Sequence, residues 1–211
     1  MNNDYRNTKY CPDLSDIKER KNNIYNQIIL DHPRAKDMHN YISKNDLIYK
    51  KQFLKAYNYK CAYCGVSIEI ISKSEFQIDH YIYQKSSEFK SKKQAGKLDN
   101  LVLSCHSCNH AKGAFIIPPD KRSLLYPDNT SITKVFYRND YYYIMINSNY
   151  KEDKVVCDFY YKLKLHNDIH RLDYLLMSMI GLYAKTNEKT PGYTQLGKAI
   201  ELLRKKRNIM S

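Results

Sequence analysis

The sequence contains no run of apolar residues long enough to span a bilayer. Its longest mostly apolar stretch, YLLMSMIGLY from Tyr174 to Tyr183, falls well short of the ~20 residues that a membrane helix needs. The first residues, MNNDYRNTKYC, lack the apolar centre of a secretory signal. The expectation is a cytoplasmic protein with no membrane partner. Glycine and proline are scarce, six of each in 211 residues, which argues against collagen-like and low-complexity disordered classes. Acidic residues are in short supply too: 22 Asp and Glu against 35 Lys and Arg give a formal net charge of +13. An excess of that sign favours contact with phosphate backbones or anionic surfaces. With 43% hydrophobic and 27% charged residues, the chain has the make-up of a folded protein, sized for one domain with extensions or two small ones.

Hydrophobic spacing supplies the coarse organisation. Ile17, Ile24, Ile28 and Ile29 lie among charges, predicting a helix over Ser15 to Leu30 that DHPR at 31–34 ends. A second helix is expected to start at Asn45 or Asp46, good N-cap types, with Leu47, Phe53, Leu54 and Tyr57 on one side. EFQIDHYIY reads as a strand with Asp79 and His80 near its end, KSSEFKSKKQAGK (85–97) as a basic loop, NLVLSC as a buried strand and CNHAKGAF as a short helix. Further on, KVFYRNDYYYIMI reads as a hairpin turning at Arg138, Asn139 and Asp140. Two helices should follow, one with Leu172, Leu175, Leu176, Met179, Ile180 and Tyr183 at helical spacing, the other with Tyr193, Leu196, Ile200 and Leu203 before a basic RKKR end.

Four of the six cysteines form two C-x-x-C pairs, Cys61 with Cys64 and Cys105 with Cys108. In a reducing compartment such pairs point to metal rather than disulfides. Two knuckles can present four thiolates as a tetrahedron, which suits a closed, structural zinc site. An iron–sulfur cluster and unmetallated thiols are the competing readings; His106 could replace one cysteine only by leaving a surplus thiol. Gly65 after the first pair permits the tight turn of a knuckle.

Everything between residues 61 and 108 is then a loop tied at its neck. The series CAYC, DH, DNL and SCHSCN, with Lys112 three residues on, resembles the HNH endonucleases, the ββα-metal nucleases, over about residues 58–116. The resemblance implies a zinc-stapled ββα core at 58–117; with the N-terminal helical segment at 1–57 and the C-terminal hairpin and helical extension at 118–211 read from spacing, the expected fold class is α+β. It also implies hydrolysis of phosphodiester bonds, with DNA the expected partner and RNA left open. The flanking segments loosely resemble small nuclease subunits of bacterial anti-phage systems such as Septu, whose partner is an ATPase.

The residues suit that chemistry. Asp79 offers a carboxylate and Asn109 an amide oxygen to a hard cation, Mg²⁺ or Mn²⁺. His80, with an ordinary pKa of roughly 6.5, can take a proton from water. By resemblance, Asn100 accepts a hydrogen bond from the far nitrogen of His80. Lys112, His110, Lys92 and Lys93 are candidate phosphate contacts. Adjacent strand residues point to opposite faces, so Asp79 and His80 need a twist or a strand end to serve one site. Many members of the family carry His where this chain has Asn109; an arrangement in which Asn109 caps the helix and His110 binds metal is the alternative. A non-catalytic zinc module that binds nucleic acid electrostatically is the alternative function.

Overall fold

Ile17, Ile24 and Ile28 are buried along one face of helix α1 (Ile17–Asp31), as their spacing requires. The helix stops at His32, the residue before a proline, where the helical region is disfavoured. The computed structural model describes residues 4–45 and 47–210. After α1 come α2 (Met38–Asn40), capped by the Asp37 side chain, a π-helical turn (Tyr41–Asn45), and α3 (Leu47–Ala56). The expected helix start is therefore displaced: Asn45 closes the π-helical turn, and Asp46 lies outside the described residues. Phe53, Leu54 and Tyr57 are buried as predicted.

Asn58 and Tyr59 adopt left-handed φ values of 50° and 56°, breaking the helix and leading into the first cysteine knuckle. There Gly65 has φ +81°, and a Cβ at that position would lie 2.6 Å from the Arg6 carbonyl oxygen. Glycine is required twice over, by conformation and by space.

Strand β1 (Phe76–His80) pairs antiparallel with β2 (Leu101–Cys105), with Gln77 opposite Ser104, Asp79 opposite Val102 and His80 opposite Leu101. The basic segment between them is mostly turns, with one short helix, α4 (Lys92–Ala95), capped by Ser91. Helix α5 (His106–Lys112) leaves β2 directly, and Gly113 ends it at φ +50°. The order strand, loop, strand, helix is the one the sequence predicts.

The C-terminal part is richer in helix than the sequence suggests, with α6 (Pro119–Leu125) and α7 (Ile132–Val135) preceding a hairpin of β3 (Phe136–Arg138) and β4 (Ile144–Ile146). Arg138 is the last residue of β3 rather than part of the turn. The connection runs from Asn139 to Tyr143 because the Asn139 side chain accepts from the backbone N–H groups of Tyr141 and Tyr143, and Tyr142 takes φ 67°. Helix α8 (Lys154–Lys162), capped by Asp153, was not anticipated; α9 (Asp168–Tyr183) and α10 (Pro191–Met210) follow. The buried face of α9 is rotated from the predicted one: Leu172, Asp173, Leu176 and Met177 are buried, while Leu175, Met179 and Ile180 are half-buried. Asp173 tolerates burial because Arg207 of α10 donates to it at 2.9 Å.

One hydrophobic cluster extends from Tyr5 to Leu165 and joins residues of α1, α3, β1, β2, β3 and α8. No helix among the described residues is long and apolar enough to cross a membrane.

A polar group sits deep within this assembly. Lys21 lies on the buried face of α1, and its ammonium donates to the Leu101 carbonyl at 2.8 Å, the Tyr126 hydroxyl at 2.9 Å and Asp128 at 2.7 Å. Tyr57 donates to the same carboxylate. Lys21 thus ties α1 to the start of β2. Removing one partner of a buried ion pair strands the other charge. Lys21→Ala should therefore lower the unfolding free energy by about 3 kcal/mol in urea titration, and Lys21→Met combined with Asp128→Leu should lose less than Lys21→Ala alone. A Lys21→Ala protein with an unchanged urea midpoint would show that the pair contributes nothing.

Candidate metal centre and active site

The four C-x-x-C cysteines converge. Their sulfur atoms all lie within 4.8 Å of one another, and all four side chains are buried. Cys64 and Cys105 sulfurs are 3.9 Å apart, matching the ~3.8 Å edge of a tetrahedron with zinc–sulfur bonds of ~2.3 Å. The first knuckle is held to β2 by the Ala62 N–H donating to the Leu103 carbonyl at 2.8 Å. Cys105 ends β2 and caps α5, its sulfur accepting from the Cys108 N–H. An N-terminal strap closes over the knuckle: Tyr5 donates to the Tyr63 carbonyl at 2.6 Å, and Arg6 to the carbonyls of Ala62 and Pro127 at 2.6 and 2.7 Å. The Arg6 guanidinium is itself paired with Asp4.

Burial opposes ionisation of Cys61, but hydrogen bonds from the neighbouring thiols hold it well below the ordinary thiol range. Its neighbours Cys64 and Cys108 are pushed well above it, chiefly by their bonds with Cys105. Buried thiols this close cannot all ionise unless a cation sits among them, and a dication with soft, tetrahedral preference fits the set. His106 is not part of the cluster; it is exposed and its Nδ1 contacts the Gln77 amide at 3.1 Å.

Alternation along β1 distributes the remaining candidates. Gln77 and Asp79 point to the α5 side, where each meets one residue of that helix. Asn109 donates its amide N–H to Gln77 Oε1 at 2.6 Å, and Lys112 lies 3.2 Å from Asp79 Oδ1. Asn109 and Lys112 are three residues apart and share a helix face, whereas His110 is exposed and stacks on His106 at 5.8 Å. Asp79 also accepts from the Tyr63 hydroxyl at 2.6 Å. Its carboxyl is raised by burial, against the opposing pull of Lys112 and Tyr63.

Two expectations need correction. Lys112, anticipated as a phosphate contact, is 1% exposed, and its ammonium is engaged by Asp79 and by the His80 carbonyl at 2.9 Å. The last turn of α5 runs against β1, not toward solvent, so Lys112 braces the strand. The anticipated bond between Asn100 and His80 does not occur in the structure. Asn100 accepts from the Ile82 N–H at 2.7 Å and donates to the carbonyls of Ile82 and Ala95 at 3.0 and 2.9 Å. It fastens the chain just beyond His80 instead of the imidazole.

His80 closes β1 on the face away from Asp79. Its half-buried ring stacks against His39, with centroids 4.5 Å apart and planes tilted by 32°. Burial, then His39, then Lys112 push its pKa from 6.5 down to about 4. The ring is therefore a neutral imidazole at neutral pH. His39 comes from α2, whose backbone N–H groups at Met38 and His39 donate to the Gly96 carbonyl at 2.9 and 3.2 Å. Lys92 and Lys93 are exposed on α4.

His39, Gln77 and Tyr63 escape the sequence reading. Gln77 carries a legible signal, since it is two residues before Asp79 and must share its face. Nothing local marks His39 or Tyr63.

Two antiparallel strands and a following helix, tied at the neck by four cysteines, define a ββα-metal unit. Residues 61–115 match the family model of the HNH endonuclease, so this segment is an HNH domain. No curated protein and no solved structure matches the chain.

The metal centre makes a direct prediction. Purified protein should contain one zinc per chain, and Cys105→Ser should lose the metal and about 4 kcal/mol or more of stability, measured by metal analysis and denaturant unfolding. Zinc-free protein of full stability would rule out a structural metal.

Proposed function

We propose that the protein is a metal-dependent endonuclease that hydrolyses phosphodiester bonds of DNA. The observation that carries the reading is the HNH segment itself, in which a neutral His80 at the end of β1 neighbours a strand face bearing Asp79 and, from α5, Asn109. The formal charge of +13 supports a nucleic acid as the substrate.

His80 takes the proton from a water molecule, whose oxygen attacks phosphorus in line; the bond to the 3′ oxygen breaks and that oxygen takes a proton from solvent, leaving a 5′ phosphate and a 3′ hydroxyl. The low pKa keeps the imidazole unprotonated, and the stacked His39 ring restricts its orientation. Asn100 contributes indirectly, by fixing Ile82 two residues beyond the base.

Asp79 and Asn109 would hold the catalytic cation. Each Asp79 oxygen has one partner and retains acceptor capacity, and the Asn109 amide nitrogen is spent on Gln77, which leaves its carbonyl oxygen. Such hard oxygen donors fit Mg²⁺ or Mn²⁺ better than zinc. When bound, the cation would stabilise charge on the phosphoryl group and the leaving oxygen.

The flanking helices and hairpin support assignment to a small nuclease subunit of a cytoplasmic anti-phage system acting with an ATPase, which the neighbouring genes would test. One observation favours the non-catalytic alternative: Tyr63 and Lys112 already engage both oxygens of Asp79.

Plasmid nicking across Mg²⁺ and Mn²⁺ titrations separates the two. His80→Ala and Asn109→Ala should each lower the rate by about 10²-fold or more with folding and DNA binding retained, while His110→Ala stays near the parent. Undiminished nicking by His80→Ala would remove the assigned base. An inactive His110→Ala beside a normal Asn109→Ala would reassign the ligand.

A further inference from the structure

We propose that the groove between α1 and the basic segment ending at Lys97 is a track for the phosphodiester backbone of the nucleic acid, leading it to His80. The direction of the track, toward His80, rests on the nuclease reading; the binding itself does not.

The groove has two walls from distant parts of the sequence. Asn22 and Tyr25 of α1, with Lys36 and Met38, face Lys93, Gln94 and Lys97 across it. At one end it continues over Lys18 and Asp99; at the other it opens past Arg34 and Asn40, still bordered by Lys36 and Lys93. The second end adjoins α2, which carries the His39 ring that stacks on His80. The walls are locked together where Met38 and His39 donate to the Gly96 carbonyl. Space at that seam is tight: a Cβ on Gly96 would lie 2.1 Å from Asp37 Oδ1. Those two hydrogen bonds tie the walls to each other at that seam.

Its charge is unbalanced. Lys18, Arg34, Lys36, Lys93 and Lys97 are all exposed, against the acidic groups of Asp37 and Asp99. Asp37 is partly spent on the Asn40 side chain at 3.0 Å. Among the described residues none of the five cations forms an ion pair. Several cations elsewhere are matched: Arg122 pairs with Glu88, Lys121 with Asp153, Lys154 with Asp158, Lys205 with Glu201 and Arg207 with Asp173. The basic end of α10, which the sequence offers as a second attractor, is therefore partly neutralised within the fold. A row of unpaired cations along a groove that runs to α2, whose His39 ring stacks on the candidate base, is an arrangement that suits a polyanionic strand.

The test uses the full-length protein and a labelled DNA duplex, with the matching single strand and an RNA of the same sequence as further arms, without added divalent cation. Lys36→Gln combined with Lys93→Gln should weaken binding roughly tenfold at low salt and reduce the slope of log K against log salt by about 2. Lys162→Gln combined with Lys198→Gln, on exposed parts of α8 and α10, removes the same charge and should leave both nearly unchanged. Zinc content and thermal unfolding verify that all variants are folded.

Equal effects of the two pairs would overturn the track, because the binding would then follow net charge alone. So would unchanged binding by the groove pair, or loss of binding to phosphatidylserine vesicles with DNA binding kept. The two readings fail separately. A parent that binds through the groove without cutting DNA sinks the nuclease and keeps the track, whereas a parent that cuts while the groove pair binds normally sinks the track and keeps the nuclease.

Discussion

Four thiols brought within 4.8 Å of one another join two places forty residues apart in sequence. One is the turn after α3; the other is the junction where β2 becomes α5. Fixing that junction sets the direction in which α5 leaves the sheet, and with it the face that meets β1. The knuckle is secured from outside as well, by its own hydrogen bond to Leu103 and by the Tyr5 and Arg6 strap. Closing so long a loop is entropically unfavourable. A metal bond at the neck would offset that cost, which would let β1 and β2 remain short and the intervening segment be polar and basic.

Strand parity then divides the labour. The α5 face of β1 carries Gln77 and Asp79, and a helix repeat of three residues delivers Asn109 and Lys112 opposite them. The other face carries His80, which meets the N-terminal segment instead. Asp79 and His80 thus need not touch. The buried Lys112 couples the two faces, because one ammonium neutralises the Asp79 carboxylate and holds the His80 carbonyl. An uncompensated carboxylate at that depth would be costly.

The core was legible because its signals are local. Two C-x-x-C pairs, a buried strand and a short helix can each be read within a dozen residues, and their order leaves little freedom in assembling them. The C-terminal region offered no such frame. Asp173 is invisible as a core residue until Arg207, from another helix, reaches it. The hairpin loop is longer than its sequence suggests because Asn139 builds its own turn with its side chain. Lys112 and Asn100 stand out by residue type, yet their contacts depend on which way a helix turn or a loop faces. Residue type identified them; tertiary direction decided what they hold.

His39 shows why an isolated motif is an incomplete description of this site. It lies outside residues 61–115, in a segment with no cysteine and no spacing that announces a role. Even so, it forms part of the environment that lowers the His80 pKa, together with burial and Lys112. Burial of that ring requires a covering surface, and α2, which donates two backbone hydrogen bonds to the Gly96 carbonyl, supplies part of it. Gly96 belongs to the same basic loop that lines the groove. The loop therefore has two consequences from one contact: it docks the histidine against the candidate base, and it sets the spacing of the cationic walls that approach it.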